Sequence, residues 1–420
     1  MKIRLKLHSR FSLEKFLLFV AVFCVATFAL LEHMSISLPL FSALKWPLIY
    51  AGGACVLTQI NLIIKTFMKK KNFFVWLAVL LFCAALMVGA YQNRNPVVGE
   101  PPMRNTTRIV LYLIELMMLM VWVSEKGYGQ YLIKYLFRYV LIVVLITDVV
   151  LFTGIRKFYS GSHEAYLIGT KFTVSYMHMN LLTLWVMQTE KRLHAKQFSR
   201  LWLCLAAVFL IAVSVRVECM TGIIGCVTLF ICLFVVDSPK SKKRLRSLTS
   251  PTVLIIALVG NLIFPFVSEL LVSVPAINYF IVDVLGRTEN LTGRTNIFNI
   301  FSDQMVGHWL YGYGLGNQNA AAMELFNYAN AQNAMLQWIL QGGILATLTL
   351  TLFMRQVFKQ THKADNYRRV MPLVVLVYVY IVLGTVETTF SMSYLLWLGV
   401  IFALVSESPK PERLPQPDQG

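Results

Sequence analysis

The sequence predicts an all-α polytopic membrane protein of about twelve transmembrane helices, both termini cytoplasmic, with a large helical extracytoplasmic loop before helix 10. Three observations predict it. Hydrophobic residues make up 57% of the 420 and charged residues only 14%, against about 25% charged in a typical soluble domain. Apolar runs near the length needed to cross ~30 Å of hydrocarbon recur along the chain. Lysine and arginine gather in alternate connections, as the positive-inside rule requires.

The apolar runs are residues 15–32, 46–67, 73–91, 108–124, 138–154, 171–188, 200–215, 219–236, 252–272, 331–354, 370–386 and 391–406. The seventh and eighth are divided only by the polar turn around Arg216 and Glu218. The first thirty residues resemble a signal peptide. No small-residue cleavage site follows, and the run is long enough to span, so it reads as the first helix. With the N-terminus inside, segments 1–15, 65–71, 126–138, 190–200, 238–247, 354–369 and the tail 407–420 hold 28 of the 38 Lys and Arg.

The net charge of +18 is therefore mostly topology, with attraction to anionic inner-leaflet lipid as a second effect. No nucleic-acid partner is implied. The chain reads as one integral membrane domain, 1–420, with a disordered cytoplasmic tail at 407–420. All seven cysteines fall in apolar runs without a CxxC pair, so they read as small packing residues. Asn105 and Asn290 each open an N-x-T triplet on the outward side.

Two outward loops are longer than a connection needs, which marks them for function or disorder. One is residues 154–172; the other is 273–330. The second contains YGYGLGN (311–317), whose glycine spacing resembles a phosphate cradle. A dinucleotide fingerprint needs a strand before it, a helix opening from it and an acidic residue about 20 positions on. Here the stretch faces the side where nucleotides are normally absent. Gly312, Gly314 and Gly316 therefore read as backbone devices, giving positive φ or close approach.

The rest of that loop divides into helical pieces. After Pro275, AINYFIVDVLG reads as a short interfacial helix ending at Gly286. Thr292 is a candidate N-cap for a helix whose apolar face is Ile297, Phe298, Ile300, Phe301 and Met305. Arg294 lies in its first turn, where a cation meets the positive end of the dipole at a cost of a few tenths to about 1 kcal/mol. No sequence neighbour offsets this. Either a bound anion does so, or the arginine is solvated.

Further on, Trp309, Tyr311 and Tyr313 interleave with the glycines. Asn333, Gln337 and Gln341 recur every four residues, one stripe at the outer end of the tenth helix. Amides in hydrocarbon must face protein or water. Amides and aromatic planes suit a sugar, with hydroxyls to bond and apolar faces to stack. Helix-helix hydrogen bonds and an interfacial aromatic belt use the same residues.

The order TGR (292–294), an amphipathic segment, GYGLG (312–316) and QNAMLQWILQGGI (332–344) resembles the O-antigen polymerase and O-antigen ligase-like family of bacterial membrane glycosyltransferases. VSVRVECMTGIIG (213–225) is similar to that family's polar, Arg-containing turn before a helix, and GTKFTVSY (169–176) to a stretch of capsule-type polymerases. The likeness covers residues 165–355 in motifs and the whole chain in topology. Family members, the ligases especially, usually show His-Asn where this chain has Gln332-Asn333. Glutamine cannot accept a proton, which places the polymerase ahead of the ligase.

The resemblance implies a polysaccharide repeat-unit polymerase (capsule, exopolysaccharide or O-antigen type) in the bacterial plasma (inner) membrane. It would transfer a glycan from polyprenyl diphosphate to the terminal hydroxyl of another lipid-linked repeat, inverting the anomeric centre. Partners implied are the polyprenyl-diphosphate-linked oligosaccharide, the lipid bilayer, a repeat-unit flippase and a chain-length regulator. Charge developing on the diphosphate must be met by a metal or by arginines. Asp283, Glu289, Asp303 and Glu324 are scattered, so neither metal nor other cofactor is expected.

Arg216 and Arg294 are the leading residues, with His308 as a candidate acid or base. Arg156, Arg287, Asn333, Gln337, Trp309 and Tyr313 are candidates for substrate binding. Glu164, Glu289 and Glu387 are further candidates for the base. A ligase-type transferase is one alternative. A transporter or flippase of a lipid-linked sugar is the rival from another class. Against the rival, no internal repeat is visible, Glu115 is the only acid near the middle of a span and Asp148 lies towards the outer end of its own.

Overall fold

The computed structural model describes residues 12–96, 101–155, 158–160, 163–193, 197–236, 242–279, 282–283 and 294–407. Helices occupy the predicted apolar runs, because in hydrocarbon the backbone must satisfy its own polar groups. In order these are α1 (Leu13–Leu30), α2 (Phe41–Leu57), α3 (Ile60–Phe67), α4 (Lys70–Gln92), α5 (Met103–Lys126), α6 (Gly129–Thr153), α7 (Lys171–Leu193), α8 (Gln197–Arg216) and α9 (Met220–Val236). There follow α10 (Lys242–Leu248), α11 (Pro251–Val272), α12 (Pro275–Tyr279), α13 (Arg294–Gln304), α14 (Gln318–Phe326), α15 (Ala334–Lys363), α16 (Met371–Leu383) and α17 (Met392–Val405).

Among the described residues, six helices are long and apolar enough to cross a membrane: α1, α4, α5, α6, α11 and α15. The protein is a helical membrane protein. Helices α2 and α3 are bent by 73° and make a seventh candidate if the broken pair is one span, so the continuous run expected at 46–67 is interrupted. Helices α8, α9 and α17 are apolar but shorter. The centre of the bundle is α16 and α17, with Leu373–Val377 and Tyr394–Leu404 buried throughout.

One end of the bundle is basic. Lys69 and Lys71 meet Glu125 at 2.5 and 3.0 Å, Lys126 meets Glu14 at 3.0 Å, and Arg369 pairs with Glu407. Glu14 also accepts from Trp122 Nε1, and Glu407 from the Gly129 N–H. Both described chain ends thus gather at the turn between α5 and α6.

The loop at 154–172 is not wholly irregular. It carries a two-stranded antiparallel hairpin, β1 (Phe158–Ser160) with β2 (His163–Ala165), in the register Phe158↔Ala165. This is a small exception to the all-α expectation. The interfacial helix expected after Pro275 reduces to the five residues of α12; its remainder lies largely outside the described residues, as do Thr292, Gly293 and the tail from 408.

The larger correction concerns the tenth span. The second limb of α15 runs to the basic end, where Gln360 Nε2 donates to the Lys71 carbonyl. Tyr394 Oη reaches Met354 Sδ at 3.7 Å, which sets α17 beside that limb. A straight α15 would carry Trp338 about 24 Å beyond Met354. Instead Trp338 Nε1 donates to the Phe390 carbonyl at 3.0 Å, and its ring lies 5.4 Å from that of Phe82 in mid-α4. The helix therefore folds back on itself at Gly343, whose φ is 67° and ψ −174°.

Candidate functional site

The fold-back explains YGYGLGN. Breaking a helix exposes carbonyls of one limb and amides of the other, and in an apolar surrounding each needs a partner. The 309–313 segment supplies them. Trp309 and Leu310 carbonyls accept from Ile344 and Leu345 N–H (2.8 and 3.3 Å), and Tyr313 N–H donates to the Leu340 carbonyl (2.8 Å). Gly312, at φ 65°, lies so close that a Cβ would fall 2.7 Å from the Gly342 and Gly343 nitrogens; one on Gly343 would fall 2.2 Å from the Leu310 oxygen. The glycines serve backbone geometry, as expected: Gly312, Gly314 and Gly316 all have positive φ, and the segment forms a backbone plug.

That plug rests on a small second core. Ile297, Phe298, Phe301 and Met305 of the α13 face pack with Ala322, Phe326, Ala331, Leu336, Ile339 and Leu340. Ile300, expected on the same face, is 40% exposed instead. Trp309 packs on Phe301 at 6.2 Å. Tyr313 stacks on His308 at 3.9 Å and donates to the Gln304 carbonyl at 2.7 Å. Burial pushes the Tyr313 phenol up, with Glu324 adding to the effect.

The amide stripe is turned to the protein. Asn333 caps α15, accepting from Met335 and Leu336 N–H at 3.0 Å and donating to the Asn261 and Thr385 carbonyls. Gln337 Oε1 accepts from the Ala331 N–H at 2.8 Å. Gln341 is buried. Of these contacts only that of Asn333 with Asn261 in α11 joins two helices, and neither Asn333 nor Gln337 lines the cavity described next.

A polar cavity of about 190 Å³ opens between the C-terminal end of α1, the N-terminal turns of α7 and the 384–391 connection. Its walls include Glu32, His33, Thr173, Tyr176, Asn180, Gln332, Glu387, Thr389 and Ser391. The Tyr176 hydroxyl is buried there without a protein hydrogen-bond partner. Beside the cavity runs an apolar groove of about 840 Å³ between α1, α2 and α6, lined by Phe19, Phe23, Leu44, Ile142 and Ile146 among others. Cavity and groove lie on either side of the same two turns. Leu31 and Met34 line the groove while Glu32 and His33 line the cavity; Leu167 and Ile168 line the groove while Thr170 lines the cavity.

Arg294 reaches this cavity through one of its walls. Its Nη2 donates to Glu387 Oε1 at 2.7 Å and its Nε to the Val386 carbonyl at 2.8 Å. The offset to its charge that no sequence neighbour provides comes from a distant carboxylate, 93 residues along the chain. Arg216 stands elsewhere. It is exposed at the end of α8 and lines a separate pocket of about 40 Å³ with Glu164 and Tyr166. Burial pushes the Tyr166 phenol up; Glu164 and Glu218 add to this and Arg216 opposes it.

The turn after Arg216 touches the start of α7, where Lys171 Nζ donates to the Glu218 carbonyl at 3.2 Å. Arg156, Arg287 and Glu289 lie outside the described residues. Of the acids within helices, Asp148 meets His178 Nε2 at 3.1 Å, while Glu115 Oε1 is buried against Gly52 and has no protein hydrogen-bond partner. Among the described residues, no three His, Cys, Asp or Glu side chains converge as metal ligands would, and the seven cysteines are all free thiols.

Sequence reasoning missed Glu32, His33, Thr389, Ser391 and the hydroxyl of Tyr176. They come from three separate connections and helix ends, and none forms a motif by itself.

The fold and site define a helical membrane protein with a polar, carboxylate-bearing cavity set against an apolar lateral groove. Compared with models of known protein families, with curated proteins and with solved structures, the chain matches none.

Proposed function

We propose that the protein polymerises lipid-linked polysaccharide repeat units at the outer face of a bacterial plasma membrane, with twelve membrane passages and both termini cytoplasmic. The observation that carries this reading is the setting of a polar cavity and an apolar groove on either side of residues 30–34 and 167–170. An amphiphile with a hydroxyl-rich head and a long apolar tail suits that pairing of a polar cavity with a neighbouring apolar groove. Hydroxyl, amide and carboxylate walls bond sugar hydroxyls; the groove accepts the hydrocarbon. The cavity end lies opposite the basic end, which the positive-inside rule assigns to the cytoplasm. The order of the TGR, GYGLG and QNAMLQWILQGGI motifs adds the reaction class.

In this reading Arg294 keeps its Glu387 carboxylate and presents its guanidinium to the donor's diphosphate oxygens, whose geometry suits the planar fork. Lys171, between the cavity-lining residues Thr170 and Phe172, and Arg216, in its separate pocket, add positive charge near the start of α7. The deciding experiment is the profile of lipid-linked products in a strain lacking the gene. Single repeats accumulating on their lipid support a polymerase. Full-length polymer stranded on its lipid would replace it with a ligase. Repeats left facing inward would replace it with a flippase, a reading favoured by two broken helices, at Gly343 and between α2 and α3.

A further inference from the structure

Glycan transfer needs a group to take the acceptor hydroxyl's proton, and position 332 in the cavity wall is a glutamine. Four titratable side chains line that wall: Glu32, His33, Tyr176 and Glu387. Glu387 is engaged by Arg294 at 2.7 Å. The Tyr176 hydroxyl is buried, and a phenol is a proton donor before it is an acceptor. His33 is exposed, with its backbone packed on Gly169. Glu32 is half-buried and held in place: its carbonyl accepts from Lys45 Nζ at 3.2 Å, and its Oε2 from the Met392 N–H at 3.3 Å.

We infer that Glu32 is the general base that deprotonates the acceptor sugar hydroxyl. The inference rests on the glycan-transfer reading of the cavity. The acceptor oxygen bonds to the donor's anomeric carbon as the bond from that carbon to the diphosphate oxygen breaks, its electron pair leaving on the diphosphate. The hydroxyl proton passes to the Glu32 carboxylate and then to the departing diphosphate or water. Nothing is oxidised or reduced. Arg294 and Glu32 divide the work, one meeting the leaving-group charge and the other the nucleophile's proton. The bond from Met392 fixes one carboxylate oxygen at the start of α17 and leaves the other for the hydroxyl.

The test uses the full chain, purified and reconstituted in liposomes with lipid-linked repeats extracted from a strain lacking the gene. Glu32→Gln keeps an acceptor for Met392 and loses the basic oxygen. Its kcat should fall about 100- to 10,000-fold, the usual worth of a positioned base, with KM changed by less than about threefold. In a cysteine-free background, Glu32→Cys should be inactive and should regain activity after iodoacetate but not after iodoacetamide. The two adducts differ in charge and hardly in shape, so they decide the matter even if Glu32→Gln does not fold. A kcat for Glu32→Gln within about threefold of wild type, a loss confined to KM, or equal rescue by both reagents overturns Glu32 as the base. Wild-type protein that elongates nothing overturns the polymerase reading, and this inference with it.

Discussion

Arg294 and Glu387, 93 residues apart in sequence, form an ion pair of 2.7 Å in which both side chains are largely withdrawn from solvent, at 17% and 9% exposure. The pair ties the first turn of α13 to the connection between α16 and α17. It also places a cation and a carboxylate together at the wall of a cavity that holds several hydroxyl groups.

Removing either partner breaks a mostly buried ion pair, which typically costs about 3–5 kcal/mol. Arg294→Ala and Glu387→Gln are each expected to lower the thermal midpoint in detergent. Replacing both with Met should restore most of the stability and none of the activity. Additive losses in that double-variant cycle would show that the two residues do not interact.

Because alanine at 294 disturbs folding as well as chemistry, Arg294→Lys is the cleaner probe of catalysis. A point charge replaces the two-pronged fork, so partial activity is expected. Arg294→Ala, measured on the folded fraction, should lose about 100- to 1000-fold in rate, the cost of one preorganised electrostatic donor. Normal-length polymer from stably expressed Arg294→Ala protein would assign the arginine to structure alone, and Arg216 would become the better candidate.

Gly312→Ala and Gly343→Ala should each disrupt the plug. Both positions have positive φ, and an added Cβ meets backbone atoms at 2.7 Å or less, a strain of about 1–3 kcal/mol before the clash is counted. Gly53→Ala is the control: nothing lies within 4 Å of its Cβ position in α2, so a gain of about 0.5–1 kcal/mol is expected. Neither plug variant should create any dependence on nucleotide. Binding of ATP or a nucleotide-sugar by the purified wild type would refute the backbone role.

Cysteines placed at the exposed positions Tyr159 and Asn319, in a cysteine-free background, should react with an impermeant maleimide in intact cells. A cysteine at the exposed Lys363 should react only after the cells are opened. Labelling of position 363 from outside would reverse the orientation and move the cavity to the cytoplasmic face.

The sequence by itself determined the helical membrane class, the positions of the helices and the α13 face of Ile297, Phe298, Phe301 and Met305. These follow from local rules: hydrocarbon forces the backbone to bond within its own segment, and helical periodicity sorts a segment's faces. It also determined that the YGYGLGN glycines serve the backbone. Only the tertiary structure decided that Gly343 folds α15 back, because mean apolarity is the same for a straight span and a doubled one. Likewise only packing decided that Asn333 caps a helix, that Glu387 answers Arg294, and that Glu32 faces a cavity with Thr389 and Ser391. Each of those is a pairing between residues tens to hundreds of positions apart, and spacing along a chain carries no record of which distant group the fold brings within 3 Å.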